Sequence, residues 1–304
     1  MPRLRFADFR RAATGLTLVG GLLAGPALAH ADALGAYYER SVMSAANQRC
    51  GLFTPQLASA LAAAQAQARG AALRSGASAS ALADLQERAR GRVGAVSCAS
   101  ADIATAATRV RSAFEGYSKL QRMSFPGDTS DWTANRLATR GTPVWKLSQS
   151  VRLAGSPLIF GLAGRGDDRS LLAVANFGAA APYAARLVLR DPAMAPQPYL
   201  NALQAHGPGP LPLSARTPPR WASRGILAEA RGPADATLLP PGEKSGYAFR
   251  FPASAAAALA DLDPREAVTV EFQFSEGGRD VVRTAYVEVG DFAAGRAFLT
   301  TAQR

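Results

Sequence analysis

The spacing of apolar residues changes once along this 304-residue chain, and the change demands two kinds of structure. Up to Met123 they recur every third or fourth position, which gathers them on one side of a helix; after Pro143 they alternate, which gathers them on one face of a strand. Leu34, Tyr38, Val42 and Ala45 define a first helix with Asp32 as its cap. Thr54 before Pro55 reads as an N-cap followed by proline at the first helical position, and Leu57, Leu61, Ala64 and Ala68 carry the stripe to a break at "RSGAS". A third helix uses Leu82, Leu85, Ala89 and Val96, weakened by about 1 kcal/mol at each of Gly91 and Gly94. Ser100 caps a fourth, whose face Ile103, Ala107, Val110, Phe114 and Tyr117 is the sharpest in the chain, and "SFPGD" ends it.

Beyond Pro143, "VWKLSQSVRL", "PLIFGLA", "SLLAVANF" and "ARLVLR" are short β-type runs parted by Gly, Pro and Asp, the pattern of antiparallel hairpins. Tyr247, Phe249 and Phe251 alternate, as do Val268, Val270, Phe272 and Phe274, and "SEGGRD" turns the chain into "VVRTAYVEV". "SAAAALADL" and "DFAAGRAFLTT" read as short helices, and 205–220 as an irregular Pro/Gly loop. The expectation is an α+β protein: a leader over 1–31, an antiparallel helical bundle over 32–125, a linker over 126–143, and a mostly antiparallel β-rich domain over 144–304. Its sheet is either twisted and helix-covered or part of a sandwich.

The N-terminus sets the compartment. Arg3, Arg5, Arg10 and Arg11 precede an apolar stretch from Leu16 to Leu28 and small residues at Ala27, Ala29 and Ala31, the layout of a secretory signal peptide cut after Ala29 or Ala31. The run is shorter than the roughly 20 residues that span a bilayer and is broken by Gly20, Gly21, Gly25 and Pro26. Arg10-Arg11 also admits a twin-arginine signal, but Ala12 and Ala13 do not continue that pattern, so the general export route and a periplasmic or secreted address are expected. No later stretch is long and apolar enough to span a membrane.

In an oxidising compartment the chain's two cysteines, Cys50 and Cys98, read as a disulfide, with two buried thiols as the alternative. Short connections make helices one and three parallel, so the ends carrying Cys50 and Cys98 fall at one pole of the bundle. Closing that loop contributes about 4 kcal/mol in the chain-entropy picture. It would staple a bundle whose alanines bury little area each.

The formal charge of +11 suggests a polyanion partner until it is dissected. Without residues 1–29 the chain keeps 30 basic against 22 acidic residues, and only Lys119, Lys146 and Lys244 are lysines. Arg88, Arg90 and Arg92, spaced by two, scatter around a helix and form no basic stripe, so no nucleic-acid partner is expected.

The last sixty residues or so, "FPASAAAALADLDPREAVTVEFQF", a hairpin and "VEVGDFAAGRAFL", resemble the end of the invasion-associated locus B family of exported bacterial proteins. In that family a strand, a short helix, a hairpin and a final Gly-Phe-containing helix follow in this order, and Gly290, Asp291 and Phe292 fill the closing position here. The family's members usually carry cysteines in this domain, and this chain has none after Cys98. The resemblance implies a periplasmic β-rich domain and carries over no catalytic residue.

Motifs for chemistry are sparse. His30 lies at the cleavage site and His206 alone in a loop, which leaves no pattern for a Ser-His-Asp hydrolase or a histidine metal site. No phosphate-cradling glycine loop occurs, so neither cofactor nor metal is expected. Asp128 and Asp131 beside Trp132 could form a glycan-hydrolase acid and base with a stacking platform, or else a turn and a helix cap. Arg165-Gly166-Asp167 reads as a hairpin turn. Arg216, Arg220, Trp221 and Arg224 could hold an anionic glycan or lipid head group, or else Trp221 plugs the β core with the arginines solvated. The expected function is non-enzymatic: binding another envelope component through the helical surface or the Arg/Trp loop. A carboxylate-dependent hydrolase acting on envelope glycan is the alternative.

Overall fold

The structure, a computed structural model, describes residues 26–137, 139, 141–178, 180–200 and 211–300. It is an α+β protein with six helices and an eleven-stranded antiparallel sheet among the described residues. The helical part comprises α1 (Pro26–Cys50), α2 (Pro55–Arg74), α3 (Ala79–Gly94) and α4 (Ala101–Lys119). Thr54, Ser78 and Ser100 each take an extended backbone and accept a side-chain hydrogen bond from the amide three residues on, satisfying one orphan donor at each start. Asp32 is not a cap: α1 runs through it, because nothing between Pro26 and Asp32 breaks a helix.

The bundle is open on one side. α1 packs along α2 and α3, whereas α4 leans on α2 and barely meets α1. Tyr37, Ser41, Met43 and Ala46 are the buried residues among the described side chains of α1, and Tyr38 and Val42 from the expected stripe lie half-buried beside the gap. Cys50 ends α1 and Cys98 precedes α4, and they form a disulfide with Cα atoms 5.7 Å apart. Arg49 donates to the carbonyls of Val93 and Val96 at the same pole.

The sheet begins before Pro143. β1 (Arg122–Phe125) pairs with β2 (Trp132–Asn135), and β2 pairs with β3 (Val144–Leu153), so the segment expected as a linker over 126–143 contributes a strand to the sheet. Four-residue strands are too short for alternation to declare them. The remaining strands are β4 (Ser156–Gly164), β5 (Ser170–Ala175), β6 (Ala184–Arg190), β7 (Ser223–Leu227), β8 (Ala230–Pro233), β9 (Tyr247–Phe251), β10 (Ala267–Glu276) and β11 (Arg279–Glu288). The order is β7-β6-β10-β11-β3-β4-β5-β9-β8. The two ends of that order are consecutive in the chain: β7 pairs with β6, β8 with β9, and only Ala228 and Glu229 lie between them. Ala228 donates its N–H to Ala185 and Glu229 to Arg250, so one bent strand spans both ends and a single sheet curls on itself, where a sandwich was the other possibility. Gly277 and Gly278, both at positive φ, form the β10–β11 turn.

Phe160, Phe249, Phe251, Phe272 and Phe274 fill the interior of the curl with α5 (Ala253–Ala260) and α6 (Phe292–Leu299). α6 is also the seat of the helical part, because α2 packs along it. Gly70 makes this approach possible, since a Cβ there would lie 2.0 Å from the Asp291 carboxylate.

Candidate functional site

Three places have the residues to do something: a groove in the helical part, a cluster of ions where α2 meets the sheet, and the Arg/Trp loop.

The groove lies where α4 stands away from α1. It has a volume of about 540 Å³, with Tyr38 and Val42 on one wall, Ile103, Val110 and Phe114 on the other, and Leu61 at its floor. Among the described side chains of α4 only Ala107 is buried, so the sharpest apolar face in the sequence is the face that lines this opening. Arg40, Arg92, Arg109, Glu39 and Asp102 also line it. Arg40 donates to the main-chain oxygen of Ala64 at 3.1 Å; burial pulls its basicity below the ordinary arginine value, opposed by Glu39 and Tyr117. Tyr117 closes the α4 wall, stacked edge-on against Phe114 and against Phe298 of α6. Its hydroxyl is buried and makes no hydrogen bond among the described residues. Burial pushes its titration up to about 12, opposed by Arg136 and Arg40.

The ion cluster centres on Glu288, whose side chain is fully buried. Its carboxylate accepts the N–H groups of Asp128, Thr129 and Ser130 at 2.7–2.8 Å and Nη1 of Arg216 at 2.9 Å. The same Arg216 nitrogen donates to Asp128 at 3.1 Å, and Arg74 grips Asp291 with two nitrogens at 2.8 and 3.0 Å. Burial works against the Arg74 charge, but the Asp291 bond and charge together with Asp128 and Glu288 hold its guanidinium above the ordinary arginine value. These pairs tie α2, the 126–131 loop, the end of β11 and the entry to α6 together. Their charges are spent on one another, the arrangement of a structural joint.

The carboxylate pair read from the sequence does not assemble as an acid, a base and a stacking platform. Trp132 is fully buried, its Nε1 donating to the carbonyls of Glu288 and Val289, and its ring meets Phe292 at 4.8 Å. Asp131 accepts from Ser124, whereas Asp128 is held by Arg216. Burial raises the Asp128 carboxyl above the usual range, with Arg216 opposing.

The Arg/Trp loop divides. Arg216 is 3% exposed and belongs to the ion cluster, which removes it from any surface ligand site. Trp221 is 64% exposed and plugs no core; Arg220 and Arg224 are exposed beside it at the start of β7. No cavity among those described is lined by this trio. Arg165-Gly166-Asp167 forms the β4–β5 turn, with Gly166 donating to Thr139. His206 lies outside the described residues.

Sequence reasoning found the α4 face and the helical surface as a place for binding, but not the opening that this face lines. Periodicity reports that a face is apolar and not what covers it, and the spare Tyr117 hydroxyl carries no sequence signal at all. Among the described residues no His/Cys/Asp/Glu group could hold a metal ion, and no helix is long and apolar enough to cross a membrane. Comparison with protein-family models, with curated proteins and with solved structures found no match.

Proposed function

We propose that this is a non-enzymatic, exported envelope protein that works by binding, and that the binding site is the groove between α1 and α4. The observation that carries the reading is the groove itself: an apolar cleft of about 540 Å³ in a range typical of small-molecule sites, roughly 300–1,000 Å³. An apolar face left half-covered along a whole helix costs solubility and stability, and a ligand offsets that cost. The leader-like N-terminus, the Cys50–Cys98 disulfide and the resemblance of the closing segment to an exported family support the address.

The neutral fluorophore N-phenyl-1-naphthylamine tests the site. The expected result is saturable binding at one site per chain, abolished by Val110→Asp, which sets a carboxylate in the wall while leaving the β part untouched. Absence of saturable binding, or a Val110→Asp variant that binds like the parent, overturns the groove as the site. The address is tested separately by the intact mass of the chain recovered from an envelope fraction: a chain beginning after Ala29 or Ala31 supports export, and one retaining Met1 with free thiols refutes it.

A further inference from the structure

The Arg/Trp loop keeps a feature that the groove does not use. Trp221 is 64% exposed, yet its backbone is fixed. Pro219 opens the short turn over 220–222, the Ala222 N–H donates back to the Pro219 carbonyl, and the Ser223 hydroxyl donates to the carbonyl of Arg220. Ala222, fully buried, anchors this turn, and its carbonyl accepts the Asp191 N–H at 2.8 Å. That bond continues the β6–β7 pairing by one step beyond Arg190 and Ser223, which sets the 191–196 loop beside the turn. Met194 on that loop is 62% exposed. The loop is fixed as well: the buried guanidinium of Arg190, held by both oxygens of Glu266, donates to the carbonyls of Ala195 and Pro196. Two large apolar side chains thus stand in water on rigid backbone at one end of β6 and β7. Arg220 and Arg224 flank Trp221 in the chain, both exposed and neither in an ion pair or hydrogen bond of its side chain among the described residues.

We propose that this end of the sheet docks on an anionic lipid surface, with Trp221 and Met194 entering the headgroup layer and Arg220 and Arg224 meeting lipid phosphates. An indole settles at a membrane–water boundary because its ring is apolar while its N–H finds polar partners there. A guanidinium is drawn to a negatively charged bilayer and offers paired donors to a phosphate. The charge of the chain favours the approach: outside residues 1–29 it carries 30 basic against 22 acidic residues. A glycan suits this place less, since a small-ligand site gathers polar groups around a cavity and none of the described cavities is lined by Arg220, Trp221 or Arg224. A projection already held in shape gives up little conformational freedom on docking. This surface does not depend on the groove being a binding site.

Tryptophan emission of the full chain, titrated with vesicles whose acyl chains are brominated, reads the docking directly. Of the three tryptophans Trp132 is buried and Trp145 half-buried, and none lies in residues 1–31, so quenching by the lipid reports Trp221. Quenching is expected with an equal mixture of phosphatidylcholine and phosphatidylglycerol, at an affinity about tenfold or more above that for phosphatidylcholine alone, and is expected to vanish in Trp221→Phe. Arg220→Gln and Arg224→Gln should each weaken it about fivefold, the worth of one cation at an anionic surface. Met194→Asp, which sets a carboxylate on the docking face, should weaken it by about as much or more. These side chains are exposed, so circular dichroism and binding of N-phenyl-1-naphthylamine should stay as in the parent, which keeps this test separate from that of the groove. No quenching on the anionic vesicles, equal quenching on both compositions, or arginine variants that titrate like the parent overturns the proposal. Quenching that survives Trp221→Phe overturns it too. A Trp221 emission change with dextran sulfate and none with anionic vesicles reassigns the surface to an anionic glycan and overturns it equally.

Discussion

Glu288 gathers three main-chain N–H groups and a guanidinium on one fully buried carboxylate, and removing its charge leaves the buried Arg216 with only the part-exposed Asp128 as counter-charge. Glu288→Gln should therefore cost about 3–5 kcal/mol in chemical denaturation. Adding Arg216→Met should recover part of that loss, because the buried and now under-compensated cation is gone. Titration at Tyr117 and Arg136 gives a second expectation. Arg136 lies 3.4 Å over the Phe298 ring with Nε on the Phe298 carbonyl, and burial pulls it down to about 10. Tyr117 is pushed up to about 12, also by burial. Above pH 10 the folded tyrosine keeps a proton that the unfolded one has lost, so its contribution falls as pH rises towards 12; Arg136 acts with the opposite sign, since the unfolded chain there holds the extra proton. Tyr117→Phe should accordingly lose stability less steeply than the parent above pH 10, and should lack the last phase of tyrosine absorbance at 295 nm. None of these roles was legible in the sequence. Arg216 stood out there for its nearness to Trp221, yet its partners Asp128 and Glu288 lie 88 and 72 residues away in the chain.

Helices announce themselves by caps and period, and most of this chain's helices did. Thr54 and Ser100 act as read, and the parallel course of α1 and α3 brings Cys50 and Cys98 to one pole. Asp32 failed because a good capping residue does not stop a helix whose preceding residues are equally helical. Replacing both cysteines by serine should lower the stability of the helical part by up to about 4 kcal/mol. Hydrogen exchange should then show α1 and α3 opening before the sheet. The seat of the bundle is invisible to periodicity, because Gly70 matters only for the carboxylate that faces it from α6. Gly70→Ala should displace Asp291 from Arg74 and cost about 1–3 kcal/mol, measurable by the same denaturation.

At the scale of the molecule, alternation gave away most of the long strands and their inward faces, while the way the sheet curls had no signature. Its curvature depends on one crossing: residues 223–233 bridge β6 and β9 through the N–H groups of Ala228 and Glu229. Ala228→Pro deletes the first of these donors and leaves the Ala185 carbonyl unmet, for an expected loss of about 1–3 kcal/mol in thermal or chemical unfolding. The same crossing limits what the protein shows to its neighbours. Because one strand serves both ends, the margins left for strand addition by another chain among the described residues are short: the free sides of β7 and β8, five and four residues long, and that of β1, four. Arg224 sits in the first, and Arg231 and Pro233 in the second, residue types that discourage edge-to-edge pairing. A phenylalanine-rich sheet of this size is thereby guarded against cross-β aggregation by its own topology.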